Sequence, residues 1–295
     1  MPQSIDATVE AAIKPFADGL ASFIFYEISI AGVGIPWIVL WLAVAASFFT
    51  LYLGFINIRG FGLALRIVRG DYHDPKAPGE ISHFKAVATA ISGTVGISNI
   101  GGVAVAITIG GPGAAFWLVV AGLLSMSTKL VECTLGVKYR RHNPDGSVSG
   151  GPMYYLEHWL NVRRWPKLGK SLGAFYAACL MIGSLGIGNM FQSNQAYVQF
   201  VSISGGEQSF FAQRGWLFGL GIALLVGFVI IGGIRSIAGF AAKVVPAMAV
   251  LYVICAGTII ALSYTEIPQA LNLIVRSAFS LESATGGMIG AMIVG

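Results

Sequence analysis

Charged side chains are scarce in this sequence. Asp, Glu, Lys and Arg make up 11% of its 295 residues, whereas they make up about 25% of an ordinary soluble domain. Hydrophobic residues make up 56%, and the mean hydropathy is +0.76. A soluble fold of this length cannot bury so much apolar surface. The composition therefore predicts an all-α polytopic membrane protein, with the lipid bilayer as its surroundings.

Residues that usually carry out chemistry are also few. There are three cysteines and four histidines. The cysteines lie in apolar runs without CxxC spacing, which indicates free buried thiols, and the histidines have no partners at metal-ligand spacing. The glycines of 93–102 lack the β-strand that a dinucleotide-binding motif needs. The sequence thus favours neither an enzyme nor a bound cofactor. The net charge of +5 has to be judged loop by loop, and it indicates no nucleic-acid partner.

Apolar runs divide the chain into six predicted membrane spans. Residues 1–35 mix apolar and acidic side chains and are predicted to form an external N-terminal segment at the membrane interface. Residues 265–283 are predicted to be an external loop with a short helix, and 284–295 to be the start of a further helix. A span needs roughly 20 apolar residues. The runs that meet this need are 36–58, 84–109, 114–137, 172–203, 216–234 and 244–264.

The positions of Lys and Arg predict the orientation. The segments 59–85, 138–170 and 235–243 contain five, seven and two basic residues, whereas the opposite side has three. Cytoplasmic loops carry the excess of Lys and Arg in multi-pass proteins. These three segments are therefore predicted to be cytoplasmic loops. The N-terminus is then outside, and the protein lies in the cell (inner) membrane.

The span 84–109 is a poor helix in its middle, Ser92–Gly102. Four glycines within that stretch weaken a helix by about 1 kcal/mol each, and its Ser, Thr and Asn side chains compete for backbone groups. Unwound backbone at membrane depth survives only where it is packed in protein or lines a cavity. Its amides can then bind a carboxylate and its carbonyls a cation. A kinked helix packed through its glycines, with no ligand, is an equally acceptable interpretation.

Two further polar features lie inside predicted spans. Lys129 and Glu132 are three residues apart, so they can pair on one helix face. A structural pair near the cytoplasmic end of the span is the favoured interpretation. A second polar cluster, Gly186–Asn194, lies at membrane depth in the span 172–203.

Several separated motifs resemble the bacterial and archaeal alanine or glycine:cation symporter family. They occur in the family's order and cover nearly the whole chain from Pro36. The motifs are Gly54–Arg59, Gly93–Gly102, Gly110–Trp117, Gly150–Tyr155, Gly188–Asn194 and Val245–Tyr252. The resemblance implies a secondary transporter that carries alanine or glycine with sodium.

The implied fold is LeuT-like. It has a first inverted repeat of five helices over 84–264 with a broken first core helix, preceded by one extra transmembrane helix at 36–58. Such a fold needs a second repeat, and this sequence stops where its sixth core helix is expected. The resemblance therefore implies an apparently truncated, N-terminal fragment that is not expected to transport by itself.

The resemblance also implies the site residues. Unwound backbone from Thr94 to Gly102 is expected to hold the substrate carboxylate and the cation. The expected sodium ligands are Thr94, Val95 and Asn99. The expected substrate-binding residues are Gly96, Ile97, Ser98, Asn99, Gly102, Asn189 and Gln192. At Ser98 the family pattern has glycine, so the substrate-size preference stays open.

Two other functions remain as alternatives. A channel or pore subunit would need a continuous polar pathway, whereas the polar residues here gather at one depth, which favours a site at the midplane. A non-transporting fragment that only docks against other membrane helices is the second alternative.

Overall fold

The computed structural model describes residues 5–30, 33–72, 81–212, 214–280 and 283. They form two compact units, one from residues 1–57, 98–128 and 265–295 and the other from 58–97 and 129–264. The helices are α1 (Ile5–Ile24), α2 (Trp37–Tyr52), α3 (Ile56–Arg59), α4 (Phe61–Arg69), α5 (His83–Thr94), α6 (Ile97–Gly110), α7 (Ala114–Lys138), α8 (Pro152–Val162), α9 (Pro166–Leu185), α10 (Gln192–Ile203), α11 (Gly215–Ile231), α12 (Gly233–Leu262) and α13 (Ile267–Ser277). A π-helix, Gly186–Phe191, joins α9 to α10, and short 3-10 helices lie at Gly206–Gln208 and Tyr264–Glu266.

The first unit begins with α1 and a two-stranded hairpin. Strands β1 (Glu27–Ile30) and β2 (Val33–Pro36) pair antiparallel, with Glu27 opposite Pro36. The indole of Trp37 donates a hydrogen bond to the Phe23 carbonyl at 2.9 Å, and the two rings meet edge to face. The described part of the segment 1–35, residues 5–30 and 33–35, is thus a helix and two paired strands that contact the start of α2. Its external location stays a prediction.

Helix α2 is shorter than the span predicted at 36–58. It ends at Tyr52, because Gly54 and Phe55 both adopt positive φ angles, 61° and 57°, which end an α-helix. The chain then resumes as the short α3. The buried side chains of α2 are Val39, Ala46 and Thr50.

A glycine-proline turn leads into α7, whose start matches the predicted span 114–137 and whose end lies one residue later. Gly111 has a φ of +70° in this turn. The indole of Trp117 donates to the Ala278 carbonyl at 2.6 Å, next to the end of α13. Helix α13 is the short helix predicted within 265–283. Residues 284–295, the predicted start of another helix, lie outside the described residues.

The second unit is built around α12. This helix of 30 residues begins at Gly233, so the loop predicted at 235–243 is wrong, because those residues are helical. Their cytoplasmic location stays a prediction. The turn lies at Gly232 and Gly233, where the second glycine has a φ of +65°. Helix α5 packs against α12. The buried side chains on these two helices are small: Ala88, Ala238, Ala241 and Val245. Small residues let two helix backbones approach closely.

A hairpin and an ion pair fix the segment between α7 and α9. Strand β3 (Arg141–His142) pairs with β4 (Val148–Ser149). In the connecting turn, Ser147 donates its hydroxyl and its amide to Asp145, which lowers the pKa of that carboxyl. Arg141 lies 2.9 Å from the half-buried Glu157 of α8. Helix α8 begins at Pro152, and packs against α9.

Within the part of the chain that the structure describes, three helices are long and apolar enough to cross a membrane: α7, the continuous helix Pro166–Ile203, and α12. The bent pair of α5 and α6 makes a fourth candidate. Helices α2 and α11 are apolar but have only 16 and 17 residues. Each of the six predicted spans thus corresponds to an apolar helix or to a helix pair. Lys129 and Glu132 pair at 3.0 Å as the sequence predicts.

Candidate functional site

The predicted break in the first core helix lies at Val95 and Gly96. Helix α5 ends at Thr94, and Val95 is extended, with φ −92° and ψ 109°. The Thr94 hydroxyl donates to the Ala90 carbonyl at 2.8 Å, a back-bond that competes with the regular helix pattern. Helix α6 starts at Ile97. The unwound stretch is therefore two residues long, and the expectation of unwound backbone from Thr94 to Gly102 is wrong in its extent.

Gln192 reaches this break from the other polar cluster. Its side-chain Oε1 accepts a hydrogen bond from the amide of Ile97 at 3.4 Å. Its Nε2 lies so close to Gly96 that a Cβ there would be only 2.9 Å away. Glycine at position 96 thus leaves the room in which the Gln192 amide lies. The contact joins residues 95 positions apart in sequence, both within the second unit.

The π-helix Gly186–Phe191 lies directly before Gln192. A π-helix closes its hydrogen bonds from i to i+5, is rare, and occurs frequently at functional sites. Asn189 lies inside it, exposed, and its side-chain oxygen accepts a hydrogen bond from the Ser193 hydroxyl at 3.3 Å. The break at Val95–Gly96 and the π-helix therefore each contain a predicted substrate-binding residue, Gly96 and Asn189. The side-chain amide of Gln192, which follows the π-helix, contacts the break.

The remaining predicted residues lie on α6. Ser98 and Asn99 are its second and third residues, and Gly102 is buried one turn further on. These three belong to the first unit. The first turn of a helix has amides without intrahelical partners, and the last turn has such carbonyls. The end of α5 can thus offer carbonyl oxygens to a cation, and the start of α6 can offer amides to an anion.

The break carries no formal charge. Among the described residues, no group of three or more His, Cys, Asp or Glu side chains is placed to hold a metal ion. A cation there would be held by neutral oxygens. Sequence reasoning identified Gln192 through the family resemblance. It assigned no role to Asn57, Thr50 or Ser127, whose polar side chains lie between α7 and the segment 50–57. The sequence indicates these residues only as polar side chains within apolar runs.

A family model for the sodium:alanine symporter family matches residues 21–295. The chain belongs to this family. The resemblance drawn from the motifs is thereby confirmed. The family consists of transporters, and its membership, together with the candidate spans, makes this chain part of a multi-pass membrane protein.

Three relatives illustrate the range of the family. The sodium/alanine symporter AgcS of Methanococcus maripaludis is 37% identical over 88% of this chain and 55% of its own length. The putative sodium/proton-dependent alanine carrier protein YrbD of Bacillus subtilis is 38% identical over 72% of this chain and 41% of its own. The probable sodium/glutamine symporter GlnT of the same bacterium is 34% identical over 84% and 48%. The chain spans about half the length of the curated relatives it matches.

Proposed function

We propose that this chain takes part in sodium-coupled symport of alanine or glycine across the cell membrane, as the first repeat of a LeuT-like transporter. The observation that carries the proposal is the break at Val95–Gly96 with the Gln192 amide on its Ile97 N–H. A polar group at a helix break in an otherwise apolar span is the arrangement in which transporters bind substrate and ion.

The substrate carboxylate is proposed to bind at the start of α6, between Gly96 before the helix and Gly102 in its second turn, with Ile97, Ser98 and Asn99 in the first turn. Amides at a helix N-terminus attract an anion through their N–H groups and the helix dipole. Gln192 and Asn189 are proposed to contact the substrate from the π-helix side, which fits the contact between Gln192 and Ile97.

Sodium is proposed to bind the carbonyl oxygens of Thr94 and Val95 and the side-chain oxygen of Asn99. A small hard cation prefers oxygen ligands. If the substrate carboxylate completes the same ion's coordination, each ligand raises the affinity for the other by the same factor. That linkage is the physical basis for coupling the two fluxes.

The substrate is proposed to be small. A side chain longer than methyl has to find space beside Gly96, where Gln192 already lies. The alanine names of two relatives agree with this proposal, whereas the third relative is named as a probable symporter of glutamine, a larger amino acid.

The proposed orientation has the N-terminus outside, the segments 59–85 and 138–170 in the cytoplasm, and the cell (inner) membrane as the location. The basic residues of these two segments support it.

The experiment measures radiolabelled alanine uptake into liposomes with an inward sodium gradient. It uses this chain and the same chain extended by the part of the M. maripaludis symporter that it does not match, called here the extended chain. The extended chain is expected to accumulate alanine above the outside concentration, and choline in place of sodium is expected to abolish accumulation. This chain alone is expected to give background uptake, because a LeuT-like site lies between two repeats.

Two outcomes would contradict the proposal. Alanine flux that only runs downhill and ignores sodium would indicate the channel alternative. Background uptake by an extended chain that is folded and inserted, as judged by a sharp gel-filtration peak, would indicate a fragment that only docks. Competition by unlabelled glycine and glutamine identifies the substrate within the same assay.

A further inference from the structure

Two side-chain hydrogen bonds within the first unit join α7 to the end of α2 and to the short α3 that follows it. The Thr50 hydroxyl donates to the Leu124 carbonyl at 3.1 Å, and the Asn57 amide donates to the Leu123 carbonyl at 2.8 Å. Thr50 is 1% exposed. Both acceptors belong to the backbone of α7, so two adjacent carbonyls of that helix accept hydrogen bonds from outside it.

Several hydroxyl groups elsewhere in the helices bond to the backbone of their own helix. Each donates to the carbonyl four residues earlier, at 2.6–2.8 Å: Thr89, Thr94, Thr108, Thr134, Thr258 and Ser277. For Ser127 and Thr128 the equivalent carbonyls are those of Leu123 and Leu124, which accept from Asn57 and Thr50. Thr50 of α2 and Asn57 of α3 thus occupy the acceptors that these two hydroxyls would otherwise use.

Three oxygen atoms are left without a hydrogen-bond partner among the described residues. They are the hydroxyl oxygens of Ser127 and Thr128 and the side-chain oxygen of Asn57, and all three are buried. Ser127 is 0% exposed as a residue. Burying a polar group without a partner is unfavourable, and nearly all such groups in folded proteins have one, often a water molecule. These atoms therefore indicate a partner that is neither backbone nor side chain of the described residues.

We propose that a buried water molecule bridges Asn57 and Ser127. Residues 123 and 127 lie on the same face of α7, four positions apart. The Asn57 amide, bonded to the Leu123 carbonyl, therefore lies on the face that bears the Ser127 hydroxyl. Water accepts from the Ser127 hydroxyl and donates to the Asn57 oxygen, and the Thr128 hydroxyl is a further donor nearby. Buried waters make about three hydrogen bonds of this kind.

The chemistry favours water over a cation here. The available oxygens are neutral, and a dehydrated ion needs charge or a full set of acceptors to offset the loss of its hydration. Hydroxyl groups and an amide oxygen together offer donors and an acceptor, which is what water needs on its two sides.

The backbone conformation before Asn57 positions its side chain to bond to the Leu123 carbonyl of α7. Phe55 has a φ of 57°, which is a rare conformation for a bulky residue. The turn at Gly54–Phe55 redirects the chain after α2, so that Asn57 bonds to α7 three residues after Gly54. The bridging water thus helps to hold the first span, which precedes the proposed repeat, against α7.

The experiment measures the melting temperature of the full chain in lipid nanodiscs by tryptophan fluorescence. Ser127→Ala is expected to lower it by about 2–4 °C, since one hydrogen-bonded bridge is lost. In an Asn57→Ala background the same change is expected to have less than half that effect, because the water has already lost one partner. Thr134→Val is the matched control: its hydroxyl already bonds to Leu130, so its effect is expected to be equal in both backgrounds.

Three results would overturn the proposal. An unchanged or raised melting temperature for Ser127→Ala means that the place is dry. Equal effects of Ser127→Ala in both backgrounds mean that no molecule connects the two residues. A melting temperature that rises with sodium but not choline, and only while Ser127 is present, means that the occupant is a cation.

A map of the wild-type chain that resolves other internal waters gives a second measurement, independent of whether Asn57→Ala folds. A density peak within hydrogen-bonding distance of both the Ser127 hydroxyl and the Asn57 oxygen is expected. A map without that peak refutes the proposal.

Discussion

A methyl group added at Gly96 would meet the Gln192 amide. Its carbon would lie 2.9 Å from Nε2, closer than the 3.4–4 Å of ordinary van der Waals contact. The Gln192 side chain is flexible at this end, so it moves away and gives up its bond from the Ile97 amide. One hydrogen bond contributes about 1 kcal/mol, which corresponds to about 2–4 °C in the melting temperature of a chain of this size. Gly96→Ala is therefore expected to lower it by that amount.

Gly93→Ala is the matched control for this change. Gly93 lies inside α5, where nothing is within 4 Å of an added Cβ. Replacing a helical glycine by alanine stabilises a helix by about 0.5–1 kcal/mol. The two substitutions, three residues apart in one span, are therefore expected to shift the melting temperature in opposite directions. Differential scanning fluorimetry in nanodiscs measures both.

The double variant Gly96→Ala/Gln192→Ala separates the collision from other effects at position 96. With the Gln192 side chain removed, Gly96→Ala has nothing to displace and is expected to be neutral. Residues in contact show such coupling, and distant ones do not. Two outcomes would contradict a stabilising contact between the break and Gln192. One is that Gly96→Ala lowers the melting temperature equally with and without the Gln192 side chain. The other is that Gly96→Ala raises it, as Gly93→Ala does.

Three further predictions follow from other parts of the chain. In a cysteine-free background, His142→Cys is expected to resist a membrane-impermeant thiol reagent in intact cells and Glu207→Cys to react, as the basic-residue bias predicts; the reverse labelling contradicts the orientation. Gly113→Ala is expected to lower the melting temperature by more than about 5 °C, because its Cβ would lie 2.5 Å from the backbone after α13. Gly122→Ala is the control: nothing lies within 4 Å of its Cβ, so the melting temperature is expected to stay unchanged or to rise. Asn99→Ala in the extended chain is expected to make alanine binding less dependent on sodium, as equilibrium binding at several sodium concentrations would show; a variant that is merely less stable contradicts a role as ligand.

The break in the first core helix could be predicted because glycine and small polar residues disfavour a helix in a recognisable cluster. Its length could not. From Ile97 onward the residues are helical, since the apolar residues of that segment gain more from regular backbone bonding than the remaining glycines lose. Which of several weak positions opens depends on packing partners such as Gln192, and these are remote in sequence.

The loop predicted at 235–243 shows that basic residues in a sequence do not by themselves indicate a loop. The charges of Arg235 and Lys243 favour a loop, yet both residues lie on α12. Arg and Lys are good helix formers, and their long side chains can extend toward the membrane surface while the backbone stays helical. The glycine pair at 232–233 was the better signal for the turn, because a positive φ is easily adopted there.

The pairing of Lys129 with Glu132 could be predicted because helical spacing alone determines it. The orphaned oxygens of Asn57 and Ser127 could not, since they exist only because one segment takes the carbonyls of another. The same distinction holds for the candidate site. Its local irregularities are visible in the sequence, and its long-range contact is not.

The π-helix Gly186–Phe191 has a consequence for how this span can change during evolution. In a regular α-helix each residue turns the next by about 100°, so all side chains along the helix are locked in phase. Suppose that such a helix faces lipid with apolar side chains at one end and directs a polar side chain inward at the other. Rotating the side chains at one end about the helix axis then also rotates those at the other end. A π-helical turn between the two ends lets the side chains at each end take their own angular position around the helix axis. Shortening the π-helix by one residue would rotate Gln192 away from Ile97 while leaving the lipid-facing pattern of α9 intact, so insertions and deletions there can retune the site without rebuilding the membrane helix.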